Sequence, residues 1–292
     1  MAALTAQRLF GVHGKTVLVT GGGRGIGEMI ASGFVANGNK VYIASRDHEA
    51  LGVTAERLNS LGEESGGSCV PITANLASRE GCEELIGEIR QLEPRLDVLV
   101  NNSGASWGEG LDRSSGRMNW GWDKVLDVNL KAPFYLTRAA LPLLDASAAA
   151  RPGDPARVIM IGSVVGIQHQ DVPSHAYDAS KAAVHSLTRK LSSDLARRGG
   201  KGGRPQGHIT VNAIAPGYVP SRMTAGLSSW GADAETMSEA VPLGRLGIDA
   251  DMAGAALYLA SPASSWVSGI VLPVDGGMLA QPLSLGISGE AL

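Results

Sequence analysis

The chain has 292 residues, a formal net charge of −3 and a sequence pI of about 6.1. This mild acidity argues against nucleic acid and anionic membrane surfaces as partners, because both favour a basic protein face. Only two cysteines, Cys69 and Cys82, are present, so we expect no disulfide framework and a reduced, cytoplasmic setting. The 39 glycines and the aromatic content of 4% favour an α/β protein with tight strand-to-helix turns over a β-sandwich.

The amino-terminal sequence MAALTAQRLFGVHGK lacks the apolar segment of a secretory signal. Because it contains Arg8 and no acidic residue, a transit peptide stays open as an alternative. No run approaches 18 apolar residues, so no transmembrane helix is expected. No linker or repeat divides the chain, which predicts a single domain over 1–292, with an amino-terminal extension at 1–14 and a carboxyl-terminal tail at 279–292. The six histidines and two cysteines lack metal-ligand spacing, so we expect no metal site.

Short apolar runs alternate with longer amphipathic segments along the chain. The apolar runs are typical of buried strands, and the pattern predicts them at 16–20, 40–45, 69–74, 97–102, 157–163, 209–216 and 270–276. Helices are predicted at 25–37, 47–61, 79–92, 121–145, 175–198 and 249–260. Strands that are apolar throughout and separated by helices indicate a parallel sheet covered on both faces. The expected fold is therefore a doubly wound, Rossmann-type α/β sheet of about seven strands.

A glycine-rich turn, TGGGRGIG, follows the first predicted strand. Gly21, Gly25 and Gly27 follow a G-x-x-x-G-x-G spacing, and Ile26 lies between the last two. Glycines permit a tight turn, let a pyrophosphate approach the backbone and let the next helix pack on the strand. The amino terminus of that helix adds free N–H groups and a positive dipole. A plain tight turn is the alternative, but the position between strand and helix favours dinucleotide binding.

The second predicted strand ends at Ser45. Arg46 comes directly after it, 19 positions after Gly27. A residue about 20 positions after this glycine meets the adenosine ribose, where an acidic side chain favours NAD and an arginine favours the 2′-phosphate of NADP. Arg24 and the Ser45 hydroxyl offer further donors, so NADP(H) is the predicted cofactor. Asp47 is interpreted as the amino-terminal cap of the next helix. The alternative is that both arginines are solvated surface charges.

Tyr177 and Lys181 stand four residues apart in SHAYDASKAAVHSLTRKL, a segment with a helical pattern. Residues with this spacing are neighbours on a helix, and a nearby cation lowers the pKa of a phenol from its usual value of about 10. Pro173 and Ser174 place the helix start, with its positive dipole, just before the tyrosine. We therefore expect Tyr177 to have a lowered pKa that suits acid–base catalysis. The alternative is an incidental pair on an exposed face.

The glycine-rich turn, NNSG at 101–104, Ser163 and YDASK at 177–181 occur in this order. With these features the chain resembles the classical short-chain dehydrogenases/reductases over nearly everything from Lys15 to Met278. Within that family it is most similar to the 3-oxoacyl-(acyl-carrier-protein) reductases and the rhamnolipid-type reductases. The closer similarity depends on two further motifs, APGYVPSRMT at 215–224 and VDGGM at 274–278.

The resemblance implies four catalytic residues. Tyr177 would be the general acid in carbonyl reduction and the base in alcohol oxidation. Lys181 would bind the hydroxyls of the nicotinamide ribose and lower the pKa of Tyr177. Ser163 would hold the substrate oxygen, and Asn129 would fix a water that links Lys181 to solvent.

The resemblance also implies cofactor contacts along the same edge of the sheet. Residues expected to lie along the dinucleotide or to border the nicotinamide are Asn102, Gly104, Pro216, Gly217, Val219 and Ser221. Ser221 stands where many relatives have a threonine that binds the carboxamide. Relatives usually have an aspartate before the position of Leu76, where this chain has Asn75. The amide oxygen of Asn75 can still accept a hydrogen bond from adenine, so Asn75 and Leu76 are kept as cofactor ligands.

The function that the resemblance implies is NADPH-dependent reduction of a ketone, with a 3-oxoacyl or polyketide-like substrate. The alternatives are an NAD(P)-dependent alcohol or sugar dehydrogenase of the same family, and a non-catalytic regulator that binds the cofactor. Segment 218–245 is expected to be a substrate lid. Relatives imply a homotetramer or dimer, and the predicted helix 121–145 has apolar residues on more than one face, as a covering partner would require. The pattern assigns no role to His169, His175, Trp107 or the glycine-rich loop 199–207.

Overall fold

The computed structural model describes residues 4–113, 120–151, 153–196, 208–225 and 233–281. Within these ranges seven strands form one parallel sheet in the order β3-β2-β1-β4-β5-β6-β7. The strands are β1 (Thr16–Thr20), β2 (Lys40–Ser45), β3 (Ser68–Thr73), β4 (Val98–Asn101), β5 (Ala156–Ile161), β6 (Ile209–Pro216) and β7 (Val271–Val274). The predicted doubly wound α/β fold is confirmed, and the strand order reverses between β1 and β4.

Helices connect the strands and cover both faces of the sheet. They are α1 (Ala6–Phe10), α2 (Gly25–Ala36), α3 (His48–Gly62), α4 (Arg79–Leu92), α5 (Trp120–Leu126), α6 (Ala132–Ala150), α7 (His175–Ala196), α8 (Arg222–Ala225), α9 (Ala234–Glu239) and α10 (Asp249–Ala260). Asp47 accepts a hydrogen bond from the N–H of Ala50 at the start of α3, so its predicted role as a cap is confirmed. The short helix α1 lies in the extension at 1–14, where the sequence pattern predicted no element.

The helix predicted at 121–145 is present, but it is not uniform and it ends later than predicted. A π-helical turn, Asp127–Lys131, separates α5 from α6, and α6 continues to Ala150. A π turn adds one residue to a helix, and such turns are frequent at functional sites. Asn129, one of the predicted catalytic residues, lies in this turn.

Two apolar layers form the core, one on each face of the sheet. Leu18 of β1 packs in the layer formed with α4, α6 and α7, whereas its neighbours Val17 and Val19 pack in the layer formed with α2, α3 and α10. All of β1 is buried, because side chains alternate between the two faces and helices cover both. Packing on both faces holds the strands of the sheet in place and thereby fixes the positions of their carboxyl ends.

A buried polar network lies at the opposite, amino-terminal edge of the sheet. Asp97 is 1% exposed and accepts hydrogen bonds from the N–H of Thr16 at 2.8 Å and from the Ser147 hydroxyl. Nε of Arg151 lies 3.0 Å from the same carboxylate. The network thereby ties the starts of β1 and β4 to the end of α6. It continues through three more charged side chains, Lys15, Asp154 and Arg157.

We predict that Asp97→Asn lowers the free energy of unfolding by about 3–5 kcal/mol, the usual cost of removing one partner of a buried ion pair. Asparagine keeps the volume of the side chain but removes the charge opposite Arg151. Urea unfolding measures the change. Glu83→Gln is the matched control, because Glu83 pairs with Arg79 and Arg138 at the exposed surface, where an ion pair is worth about 0–1 kcal/mol. Equal losses in the two variants would contradict the prediction.

In the ranges that the structure describes, no helix is both long enough and apolar enough to cross a membrane. One sheet includes strands from both halves of the chain, which fits a single domain, and the predicted division at 1–14, 218–245 and 279–292 stays a prediction.

Candidate active site

The carboxyl ends of β1, β4, β5 and β6 lie along one edge of the sheet. In doubly wound folds, ligands bind at this edge where the strand order reverses. The structure brings the glycine-rich turn after β1, Asn102 after β4 and Ser163 after β5 to this edge. The start of α7 adds Tyr177 and Lys181. The central residues predicted from the sequence therefore belong to one site.

Backbone conformation and close packing explain why two positions of the turn are glycine. Gly21 has a φ of 67°, a left-handed conformation that glycine adopts most readily. A Cβ atom on Gly27 would overlap the carbonyl oxygen of Gly21 and Nδ2 of Asn102. Gly25 begins α2, and Ile26 packs against the core. The start of α2 thus presents backbone rather than side chains, as the binding of a pyrophosphate requires.

Asn102 and Thr20 hold the glycine-rich turn against β4. Nδ2 of Asn102 donates to the carbonyl oxygens of Thr20 at 2.9 Å and Gly21 at 3.2 Å. The buried Thr20 hydroxyl accepts from the N–H groups of Asn102 and Ser103 and donates to the carbonyl of Val100. Asn102 therefore uses its amide donor within the protein. The sequence analysis missed Thr20, for which the available signal was a hydroxyl residue at the end of an apolar strand.

Ser163 and Tyr177 form the polar centre of the site. Ser163 follows β5, is 9% exposed, and lies close enough to the phenol of Tyr177 to affect its pKa. Its Oγ accepts from the N–H of Val165 at 3.4 Å. Two neighbouring hydroxyl groups can both reach a single oxygen atom of a substrate.

Lys181 lies one helical turn after Tyr177 and is buried. Its Nζ donates to the carbonyl oxygen of Ile161 at 2.8 Å and lies 5.5 Å from the centre of the Tyr177 ring. Burial lowers the pKa of Lys181 to about 8. Since an ammonium has three donors, Lys181 keeps donors for the hydroxyls of a nicotinamide ribose.

The prediction that Lys181 lowers the pKa of Tyr177 is wrong for this structure. Burial raises the pKa of Tyr177 to about 12; the neighbouring Ser163 opposes this shift and Asp178 reinforces it. The Lys181 ammonium is directed to the backbone carbonyl of Ile161 instead. Loss of water therefore outweighs the attraction expected from the i,i+4 spacing. Tyr177 is held as the neutral phenol, the form that can donate a proton.

Asn129 joins the loop after β4 to α7. Its Oδ1 accepts from the N–H of Ala105 at 2.7 Å, and its Nδ2 donates to the carbonyl of Ala105 and the hydroxyl of Ser180, both at 2.9 Å. Gly104 lies beside it, where a Cβ would stand 3.5 Å from Oδ1 of Asn129 and 4.0 Å from Nζ of Lys181. The geometry assigns Asn129 to positioning this loop, and its predicted water contact stays a prediction.

The predicted adenosine end of the site presents exposed polar groups. Arg46 is exposed, and Nη1 of Arg24 lies 3.5 Å from a carboxylate oxygen of Asp47. Oγ of Ser45 accepts from the N–H of Asp47 at 3.3 Å. A 2′-phosphate at this position would compete with Asp47 for the guanidinium of Arg24.

Asn75 and Leu76 follow β3 and differ in what they offer a ligand. Asn75 is exposed, and its Oδ1 accepts from the N–H of Ala77 at 3.3 Å. Leu76 is buried in the apolar core. An adenine ring could therefore contact the side-chain amide of Asn75, but only the backbone of Leu76.

The predicted nicotinamide border follows β6. Pro216 and Val219 are buried, and Gly217 donates its N–H to the carbonyl of Val274 at 3.1 Å. The backbone at this point is therefore fixed by β7. A border fixed in this way can support a flat ring from one side.

Ser221 lies directly across from the glycine-rich turn. A Cβ on Gly25 would stand 3.3 Å from Cβ of Ser221, and Ser221 accepts from the N–H of Thr224 at 3.2 Å. The base of the predicted lid thus lies over the turn. Of the lid range 218–245, residues 226–232 lie outside the described part of the chain.

Trp107 is held in place beside the site by its neighbours. Its Nε1 donates to Glu109 at 3.1 Å, and the Arg113 guanidinium lies 5.5 Å from the centre of a Trp107 ring. The indole packs on Gly121 at the start of α5, where a Cβ would overlap it. A rigid indole at this place can form one wall of a substrate pocket.

The remaining polar residues of interest lie outside this centre. His169 and His175 are exposed, and the loop 199–207 lies outside the described residues. In the ranges that the structure describes, no three His, Cys, Asp or Glu side chains come together as a metal site.

A cavity of about 580 Å³ borders Tyr218 and the end of β7. Arg245 and Asp251 pair on its wall at 2.7 Å. Its lining does not include Ser163 or Tyr177. The candidate active site is therefore defined by these two hydroxyl groups and not by the cavity.

Comparison with known proteins shows the family. A family model described as Enoyl-(Acyl carrier protein) reductase matches residues 21–279. A short-chain dehydrogenase/reductase of Diaporthe leptostromiformis, PhomF, is 32% identical over 95% of this chain and 95% of the relative. The chain belongs to the short-chain dehydrogenase/reductase family.

Two further relatives of this short-chain dehydrogenase/reductase are more similar in sequence. The rhamnolipids biosynthesis 3-oxoacyl-[acyl-carrier-protein] reductase of Pseudomonas aeruginosa is 42% identical and covers 92% of this chain and 97% of the relative. The solved Pseudomonas aeruginosa RhlG/NADP active-site complex has 41% identity and a TM-score of 0.81, and covers 93% of this chain and 98% of that one. The resemblance predicted from the motifs is confirmed.

We predict that Lys181→Met raises the free energy of unfolding near pH 7. Burial lowers the pKa of Lys181 to about 8 from 10.5, so below pH 8 the folded chain holds a charge that its surroundings disfavour. The free energy of unfolding of the unsubstituted protein should rise between about pH 8 and 10.5, because the unfolded chain still binds a proton there that the folded chain has lost. The expected gain is on the order of a few kcal/mol at pH 7, and it shrinks as the pH approaches about 10.

Urea unfolding of both proteins at several pH values measures this gain. Lys190→Met is the matched control, because Lys190 is exposed on the same helix and pairs with Asp194. A Lys181→Met variant that is less stable at pH 7, or whose gain does not change with pH, would show that burial of the ammonium is not costly.

Proposed function

We propose that this chain is an NADPH-dependent carbonyl reductase that reduces the ketone of a 3-oxoacyl or related substrate. The observation that supports this most directly is the placement of the Ser163 and Tyr177 hydroxyls beside each other at the carboxyl edge of the sheet, with the phenol in its neutral form. Reduction of a carbonyl requires a proton donor at the oxygen while hydride reaches the carbon. The pair provides that donor.

The residues present fit a nicotinamide dinucleotide. A side chain at Gly27 would overlap its neighbours, so the turn leaves bare backbone at the start of α2. Arg24 and Arg46 present exposed guanidinium groups near the start of α3, where they would bind a 2′-phosphate. The similarity to the Pseudomonas aeruginosa RhlG/NADP complex supports the same cofactor. When bound, NADPH supplies the hydride.

The chain's own residues would act on the substrate oxygen and its proton. Ser163 would donate a hydrogen bond to the carbonyl oxygen, and Tyr177 would transfer its phenolic proton as negative charge develops there. Lys181 would bind the nicotinamide ribose hydroxyls. Asn129 would hold the loop after β4 and the water through which Tyr177 recovers a proton.

The substrate class follows from this oxygen site together with the relatives. The high identity to a 3-oxoacyl reductase over almost its whole length supports a 3-oxoacyl thioester. The description of the family model, an enoyl reductase, raises reduction of a carbon–carbon double bond as a competitor. Two neighbouring hydroxyl donors match a carbonyl oxygen better than an alkene carbon.

A matched substrate panel tests the proposal. NADPH oxidation is measured with a 3-oxoacyl thioester, the enoyl thioester of the same chain length and a polyketide-like cyclic ketone. NADP⁺ reduction is measured with the 3-hydroxyacyl thioester and a sugar alcohol. The 3-oxoacyl thioester should give the highest kcat/KM. A preference for the enoyl thioester or the sugar alcohol, or no turnover of any compound, would contradict the proposal, and the last result would favour a non-catalytic regulator.

Tyr177→Phe should lower kcat for ketone reduction by about 10²–10⁴-fold, the usual contribution of a positioned proton donor. The KM for NADPH should hardly change, because the ring and its packing remain. Tyr135→Phe, on α6 outside the site, is the control and should keep wild-type kcat. Near-normal turnover by Tyr177→Phe would show that another group donates the proton.

Arg46→Asp should reverse cofactor preference. One retained contact from an arginine to the 2′-phosphate favours NADPH over NADH by about tenfold. Aspartate would repel that phosphate and accept from the 2′-hydroxyl of NADH instead. The measurement is kcat/KM for both cofactors at a saturating ketone concentration. Arg90→Asp, an exposed charge reversal on α4, controls for net charge. A wild-type protein without a preference for NADPH would contradict the assignment of Arg46.

We also propose that the chain assembles as a homotetramer or dimer in the cytoplasm. Trp122 and Phe134 expose apolar surface on α5 and α6, and Trp266 is 100% exposed near Ile270 and the edge strand β7. Two separate apolar surfaces fit the two interfaces of a tetramer. A monomer mass by light scattering at micromolar concentration would contradict this assembly.

A further inference from the structure

The turn that contains Ser163 is wrapped around the ring of His185. This turn, Gly162–Gly166, has a glycine at each end, and both glycines face the imidazole. A Cβ on Gly162 would overlap Nε2 of His185, and a Cβ on Gly166 would stand 2.8 Å from its Cε1. Gly162 does not have a positive φ, so the conformation of its backbone does not require glycine. The ring of His185 is what requires it.

The turn also lies directly on the backbone of α7. A Cβ on Gly166 would stand 2.6 Å from the carbonyl carbon of Lys181 and 2.8 Å from the backbone nitrogen of Ala182. The backbone of Gly166 also lies close enough to the His185 ring to raise its pKa against the effect of burial. The turn after β5 is therefore fixed against the same helix that carries Tyr177 and Lys181.

His185 is suited to this contact because it is buried and neutral. It is 3% exposed, and its Nε2 has no hydrogen-bond partner. Burial lowers the pKa of His185 to about 4, and the charges of Lys181 and, more weakly, Arg189 act in the same direction, whereas the backbone of Gly166 acts against them. A neutral ring adds no second charge beside the ammonium of Lys181.

We propose that His185 is a positioning residue, whose ring sets the place of the Ser163 hydroxyl relative to Tyr177. This inference rests on the proposed carbonyl reduction. The ring fills the space under the turn, so the two glycines can approach it only in one arrangement. One helix, α7, carries Tyr177, Lys181 and His185. The ring that supports the turn therefore lies on the same helix as the proposed proton donor.

The size of the effect follows from the geometry of catalysis. A displacement of about 1 Å in a group that orients the reacting atoms can lower a rate by about 10²-fold. A shift of the Ser163 hydroxyl should therefore lower kcat for the ketone, while the KM for NADPH should stay unchanged because the cofactor turn is held separately by Thr20 and Asn102.

A double-variant cycle tests the inference. Gly162→Ala puts a methyl group into the ring of His185 and should lower kcat by about 10²-fold. His185→Ala removes the ring that positions the turn and should lower kcat by about tenfold. In the combined variant the methyl group occupies space that the ring has left, so kcat should recover to at least the value of His185→Ala alone. The midpoint of thermal unfolding should show the same recovery.

A matched control separates positioning from general loss of stability. Leu191→Val removes a methylene from the buried face of α7, about 9 Å further along the helix than His185. It should lower the unfolding temperature but keep the wild-type kcat. Wild-type kcat in folded His185→Ala, or a double variant no better than Gly162→Ala, would overturn the inference. If the unsubstituted protein turns over no ketone, the proposed function fails, and the recovery in unfolding temperature still tests the contact between turn and ring.

Discussion

Burial of the polar side chains on one face of α7 is the constraint on which the site depends. It raises the pKa of Tyr177, lowers the pKa of Lys181 and keeps His185 neutral. In such surroundings most polar groups need a defined partner, and Nε2 of His185 is an exception. The carbonyl of Ile161 accepts from Lys181, and Asn129 uses both ends of its amide. The geometry of the donor groups is therefore set by backbone atoms, which cannot rotate away as side chains can.

The buried network that stabilises the fold and the candidate active site lie at opposite edges of the sheet. The buried charges around Asp97 hold the amino-terminal ends of β1 and β4, whereas the carboxyl ends carry glycines and short loops. A turn made of bare backbone contributes little packing, and a buried ammonium costs stability. The network at the other edge and the two apolar layers maintain the register of the strands without contact with any ligand. The loops of the active edge can therefore adopt the conformations that binding requires.

The strands and the motif residues could be predicted from the sequence because their signals are local. Runs such as TVLVT are apolar throughout, and Tyr177 and Lys181 have a fixed spacing. The environment of each group could not be predicted, since it depends on residues distant in the chain. The pKa of Tyr177 is set by burial rather than by its helical neighbour, Thr20 acts through backbone groups of β4, and His185 has meaning only beside the two glycines of the turn after β5.

The π turn at Asp127–Lys131 also changes how the surface of this helical segment must be interpreted. An α-helix advances by about 100° per residue, so one inserted residue rotates α6 by about that angle relative to α5. A single helical wheel drawn through both would place core residues of α6 on the outside. Part of the apolar character found on more than one face of this segment is therefore a phase shift within one subunit. Only apolar residues whose exposure is seen in the folded chain, such as Trp122 and Phe134, bear on whether a partner covers it.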